Sequence, residues 1–118
     1  MSAQNPVLTP ATPTTSDAHV ATWANVKAGD TFNPIGVPEQ SDRSVQIDGT
    51  FSGATAGLEG SIDGTNYFTL RDPQGVAIST TTAKLAAVLE LVSYVRGFVT
   101  GGDVNTNLNF RLLHKKAR

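Results

Sequence analysis

The chain has 118 residues, with nine lysines and arginines against ten aspartates and glutamates and a formal net charge of −1. That length suits one domain with one core, and the absence of cysteine excludes a disulfide framework, a thiolate metal site and a cysteine nucleophile. Only 16% of residues are charged and 39% hydrophobic, and threonine, glycine, serine and asparagine fill the difference, which favours an all-β protein rich in turns.

Residues 1–18, "MSAQNPVLTPATPTTSDA", form a distinct segment in which Pro6, Pro10 and Pro13 sit among threonine, serine and alanine. The opening lacks a basic region followed by an apolar run, so no signal peptide is expected and synthesis in a cytoplasm is. Such a segment buries too little apolar surface to offset its ordering entropy. It is therefore expected as an extended arm that orders on a partner, such as a neighbouring subunit. Its contact residues would be Pro6, Val7, Leu8 and Pro10.

The domain proper is expected over residues 19–118. "HVATWANV" opens it, with Trp23, the single tryptophan, expected at the edge of the core. "KAGD" reads as a turn, and Pro34 and Pro38 restrict the next run to an edge strand or an extended crossing. From Arg43 the alternation is clear. Val45, Ile47, Gly49 and Phe51 share one face of a strand; Ala56, Leu58 and Gly60 share one face of the next. "SGA" turns between them. "DGTN" turns again, and "YFTLR" places Phe68 and Leu70 together, opposite Tyr67 and Thr69. "DPQG" is a turn with proline at its second position, and "VAIST" a short strand. Thr82–Leu91 lacks glycine and proline and carries Leu85, Val88, Leu89 and Val92 at i, i+3, i+4 and i+7. That spacing predicts one short helix. "SYVRGFVT" resumes β character, "GGDVNT" is a loop, and Leu108, Phe110 and Leu112 alternate in the last strand. Seven or eight strands, each with one apolar face, predict a β-sandwich or jelly roll with one helical turn and an N-terminal arm.

No stretch nears the roughly 18 apolar residues of a membrane-spanning helix, so no membrane is expected. The last eight residues, "RLLHKKAR", hold four basic residues, leaving five of the nine for the body, which carries all ten carboxylates. A basic tail suits an acidic partner or a solvated terminus, but four charges are few for tracking phosphates, so nucleic acid is not expected.

Catalytic motifs fail in turn. "GSIDGTNYFTL", Gly60 to Leu70, lacks the alternating oxygens, sixth-position glycine and twelfth-position glutamate of an EF-hand. Asp63-Gly64 between two alternating runs is a hairpin signal instead, because glycine takes positive φ freely. The glycines at 49, 53, 57 and 60 spell no phosphate-binding loop. "GSIDG" is no nucleophile elbow, and His19 and His114 stand near opposite ends of the sequence. No enzyme activity, metal or cofactor is expected.

"SVQIDGTFSGATAGLEGSIDGTNYFTLRDPQG" and "AVLELVSYVRGFVTGGD", within Ser44 to Leu113, resemble the small virion proteins that tailed bacteriophages encode beside their major capsid protein. The shared blocks are Gly-Thr-Phe, the Glu-Gly-Ser-x-Asp-Gly-Thr-Asn-aromatic hairpin, Asp-Pro-Gln-Gly, and Tyr-x-Arg with Thr-Gly-Gly-Asp. They cover about the C-terminal two thirds. The resemblance implies a head decoration or cement protein: a β-sandwich homo-oligomer, a trimer before a dimer, bound to the major capsid protein on the virion surface. A neck or tail position is compatible with it. A weaker likeness is to discoidin-type sugar-binding sandwiches, through Gly60–Tyr67 and Tyr94–Arg96. In that case Trp23 and Tyr67 would line an open groove; in the capsid case they would meet other chains.

Overall fold

The computed structural model describes residues 3–10, 18–36, 42–90 and 92–115. Twelve strands occur among them: β1 Ala3–Gln4, β2 Val7–Pro10, β3 Ala18–Val26, β4 Thr31–Phe32, β5 Ile35–Gly36, β6 Asp42–Thr50, β7 Ala54–Ser61, β8 Phe68–Thr69, β9 Ser79–Thr80, β10 Lys84–Ala87, β11 Tyr94–Gly101 and β12 Asn107–Lys115. One five-stranded sheet runs β10-β6-β12-β3-β2. The second runs β5-β11-β7-β8, with β9 also on β7, and β1 pairs with β4 alone. The protein is an all-β sandwich, as the alternating pattern predicts.

The period-2 faces build its core. Val45 and Ile47 of β6, Leu108, Phe110 and Leu112 of β12, and Ala21 and Trp23 of β3 point inward from the first sheet. Ala56 and Leu58 of β7 and Val95 of β11 meet them from the second. Phe32 sits edge-on to both Trp23 and Phe110, with centroids 6.0 and 4.8 Å apart. Gly97 makes room for this trio, because a Cβ there would lie 2.7 Å from the Phe32 ring and 2.9 Å from Phe110.

Turn chemistry closes one end of the sandwich. Ser52 and Gly53 both take positive φ, 50° and 86°, in the tight turn that carries the chain from β6 to β7. Its Ala54 N–H donates to the Phe51 carbonyl at 2.9 Å. The return loop after β11 is tied to this turn. The Ser52 hydroxyl donates to Asp103 at 2.6 Å, and the Thr106 hydroxyl donates to the Phe51 carbonyl at 3.0 Å.

Arg43 closes the other end. Its guanidinium, buried at the start of β6, donates to the carbonyls of Val92 at 2.8 Å and Glu90 at 3.4 Å. This fastens the segment that passes from β10 to β11.

Two expectations change. Among the described residues no helix is present: Lys84–Ala87 is strand β10, pairing antiparallel with β6 from Ile47 to Ser44. In that strand Leu85 is 73% exposed and Val88 beyond it is buried, so the helical spacing of apolar residues did not mark a buried face. The unpaired edge of β6 supplied backbone partners that outweighed helix propensity. The arm differs as well. Residues 3–10 lie on their own domain, β1 parallel to β4 and β2 antiparallel to β3; the rest of the expected arm lies outside the described residues, apart from Ala18 in β3.

Candidate interaction surface

At the Arg43 end, β7 and β8 form the expected hairpin, with Gly60 opposite Phe68 and Glu59 opposite Thr69. The loop between them is organised by one carboxylate. Asp63 Oδ1 accepts the N–H groups of Thr65 and Asn66, at 2.8 and 2.9 Å, and the Ser61 hydroxyl at 2.8 Å. Its Oδ2 accepts the Asn66 amide at 2.9 Å. Gly64, at φ 82°, donates its N–H to the Ser61 hydroxyl. The Asn66 and Thr65 backbone donors hold the Asp63 carboxyl well below the usual carboxylate range. Its oxygens face the loop's own donors, which accounts for Asp-Gly-Thr-Asn as a turn device.

Tyr67 follows. The Arg96 guanidinium carbon lies 3.7 Å from its ring centroid, and Arg96 Nε donates to Glu59 at 2.6 Å. Register aligns them, since Arg96 and Glu59 are direct cross-strand partners on the outer face of the second sheet. Burial raises the Tyr67 hydroxyl's pKa, against the opposing pull of Arg96. One face of the Tyr67 ring is thus occupied by a cation.

Beside the hairpin lies a groove of about 400 Å³ lined by Gly60, Ile62, Phe68, Leu70 and Val92, with Asp63, Asn66 and Glu90 adding polar groups. Phe68 and Leu70 share a side as expected, but only Leu70 reaches the core, while Ile62 and Phe68 are 76% and 73% exposed. Glu90 is clamped by Arg71, whose backbone N–H and Nε donate to it at 2.8 and 2.6 Å. Partial burial pushes the Glu90 carboxyl up, but these Arg71 hydrogen bonds bring its pKa below the usual value.

A second apolar set follows the arm. Pro6 is half-buried, while Val7 and Leu8 are exposed at the edge strand β2. Pro10 pairs through its backbone with His19. Leu85 and Leu89 are exposed at and beyond the opposite edge strand, β10.

Trp23 leaves the candidate surface. It is fully buried in its own core, where its indole N–H donates to the Asn33 carbonyl at 3.0 Å. A sugar platform would need Trp23 and Tyr67 to line an open groove, and neither lines the one described above. The residues that sequence reasoning missed are Ile62 and Phe68. Their signal was an apolar residue on each side of a polar turn.

Near the groove end, His19, His114 and Arg43 stand in one cross-strand row of the first sheet. The two imidazoles stack with centroids 6.1 Å apart. Burial, and then the neighbouring His19 and Arg43, lower the pKa of His114. Of the basic tail, Arg111 pairs with Asp48 at 3.1 Å, and residues 116–118 lie outside the described residues.

No protein-family model matches the chain, and no curated protein matches it.

Proposed function

We propose that this is a non-enzymatic virion structural protein of a tailed bacteriophage, a decoration or cement protein that braces the head by bridging capsid subunits. One observation carries the reading. Large apolar side chains are exposed on well-braced elements on several sides of the sandwich: Ile62 and Phe68 beside the groove, Val7 and Leu8 on β2, and Leu85 on β10. Exposed apolar sets of this kind suit a body seated among larger neighbours. The motif blocks from Ser44 to Leu113 supply the identity of those neighbours, the major capsid protein and further copies of the chain. A neck or tail position is the alternative within the same class.

The mechanism is passive. A sandwich tied at both ends does not need to move in order to work. By binding the assembled shell and not its separated subunits, it shifts the equilibrium towards the shell in proportion to RT ln(1 + [L]/Kd). Self-assembly, with a trimer favoured, repeats each weak contact and multiplies its effect.

The test is co-sedimentation. Purified protein is mixed with shells assembled from the major capsid protein of the same genome. Saturable co-sedimentation at a fixed ratio to capsid subunits is expected, and protein left wholly in the supernatant would remove the reading.

A further inference from the structure

We propose that two copies of the chain pack back to back through the outer face of the five-stranded sheet β10-β6-β12-β3-β2. The contact rests on the self-assembly part of the reading above and not on its trimer. Register defines the face, since the residues that alternate with the core positions of β6, β12 and β3 fall on it. One cross-strand row runs through all five strands as Ala87, Ser44, Leu113, Val20 and Thr9. The next runs Leu85, Gln46, Arg111, Thr22 and Val7. Val7 and Leu85, exposed at the two edges of the sheet, are thus the two ends of one row. Leu113, 41% exposed, stands in the middle of the other. The remaining positions are small or neutral, and the two rows together hold one charge, Arg111. An exposed face depleted of charge is what the centre of a protein interface requires.

The face is large enough. Five strands ~4.8 Å apart and three side-chain rows ~6.8 Å apart, those two and the row of Asp48, cover on the order of 500 Å² in plan. Side chains standing off the sheet add to this, so a contact over the whole face approaches the roughly 800 Å² per partner of a standard interface. The second sheet offers no equal plane, because its outer strands β5 and β8 are two residues each.

The charges of the face select a second copy as its occupant. Its acids stand on β6, at Asp42 and Asp48. Its bases stand on the neighbouring β12, at Arg111 and, in the register position opposite Asp42, at Lys115. Arg111 and Asp48 meet at 3.1 Å with side chains 42% and 36% exposed, so both stay open to a further partner. An acidic strand beside a basic strand is complementary to itself. Turned over about a two-fold axis that runs between β6 and β12, the acids of each copy lie against the bases of the other. This is the isologous arrangement of a two-fold dimer, and sheets stacked face to face at ~10 Å with strands within about 30° of each other provide it. A partner of one charge sign would instead set like charges against one of the two strands.

Charge reversal with mixing tests this. Sedimentation equilibrium is run on the unaltered protein, on Arg111→Glu, on Asp48→Lys and on an equal mixture of the two variants. A dimer, or a larger even number of copies, is expected for the unaltered protein. Each variant alone sets like charges across the contact and should dissociate about tenfold more readily or worse. The mixture restores opposite charges in both directions and should regain the dimer, whereas harm done within one chain would not be repaired by mixing. Variants that keep the native mass would overturn the contact, and so would a mixture that stays dissociated. The unaltered protein separates the two claims. A trimer would overturn this contact and leave self-assembly standing, and a monomer would remove both.

Discussion

Arg43, at the start of β6, donates from its buried guanidinium to the carbonyl of Val92 at 2.8 Å, fastening the segment that leads from β10 to β11 beside the apolar groove. Val88 N–H returns a bond to the Arg43 carbonyl at 3.0 Å. The crossing segment that supplies Glu90 and Val92 to the groove is therefore held by Arg43 on one side and by Arg71 on the other. Replacing Arg43 with alanine is expected to cost about 2–3 kcal/mol, the scale of charge-assisted hydrogen bonds lost to buried acceptors. Denaturant unfolding measures it. A loss below ~0.5 kcal/mol would show that the segment is held by its other contacts, those of Arg71 among them.

His114 gives the fold a pH dependence of known sign. Its folded pKa lies below the ordinary histidine value of 6.5, because of burial and then His19 and Arg43, so near and below that value the unfolded chain binds more protons. Stability from this source is complete above about pH 6.5, the ordinary histidine value, and falls as pH drops through the lower folded value. Glu90, Asp63 and Asp103 also have depressed pKa values and add a separate loss in the more acidic carboxylate range. Unfolding curves across pH 4–7 should show the first loss in the native chain, and a His114→Gln variant should flatten it. An equal slope in both would assign it elsewhere.

Two glycines with positive φ should respond unequally to alanine. Gly53, at φ 86°, faces open space, so Gly53→Ala should carry only the conformational cost of about 1–2 kcal/mol. Gly49, at φ 121°, would place a Cβ 2.3 Å from the Asn107 carbonyl oxygen. Gly49→Ala should therefore cost about 3 kcal/mol or more, strain and overlap together. Equal midpoints in urea would contradict this ordering.

Asp63 should govern one loop and little else. In Asp63→Ala, amide hydrogen exchange is expected to accelerate at Thr65 and Asn66, its two backbone donors. Protection at Val45 and Leu112 in the core strands should remain. Loss of protection throughout the sandwich would make the loop part of the global folding unit.

The sheet core was legible because β6, β7 and β12 each place apolar residues at alternate positions, and Val45, Ile47, Leu58, Phe110 and Leu112 are buried as their spacing requires. The turns at Ser52-Gly53, Asp63-Gly64 and Asp72–Gly75 were legible from chemistry, with glycine at positive φ in each. Lys84–Ala87 was not, because local spacing cannot register the open edge of a strand some forty residues away. The arm's place was hidden for a similar reason: Val7–Pro10 gains its partners from an edge, and edges are properties of the assembled sheet. The groove was illegible because Phe68 alternates with Leu70 like a core residue and yet is 73% exposed on the edge strand β8.

Shell stability tests the central claim most directly. Expanded heads, with and without saturating amounts of this protein, are heated while light scattering and dye access to the packaged DNA are followed. The proposed bracing role predicts a higher disruption temperature for the decorated heads, increasing with occupancy until sites are filled. Identical disruption curves at demonstrated full occupancy would contradict it.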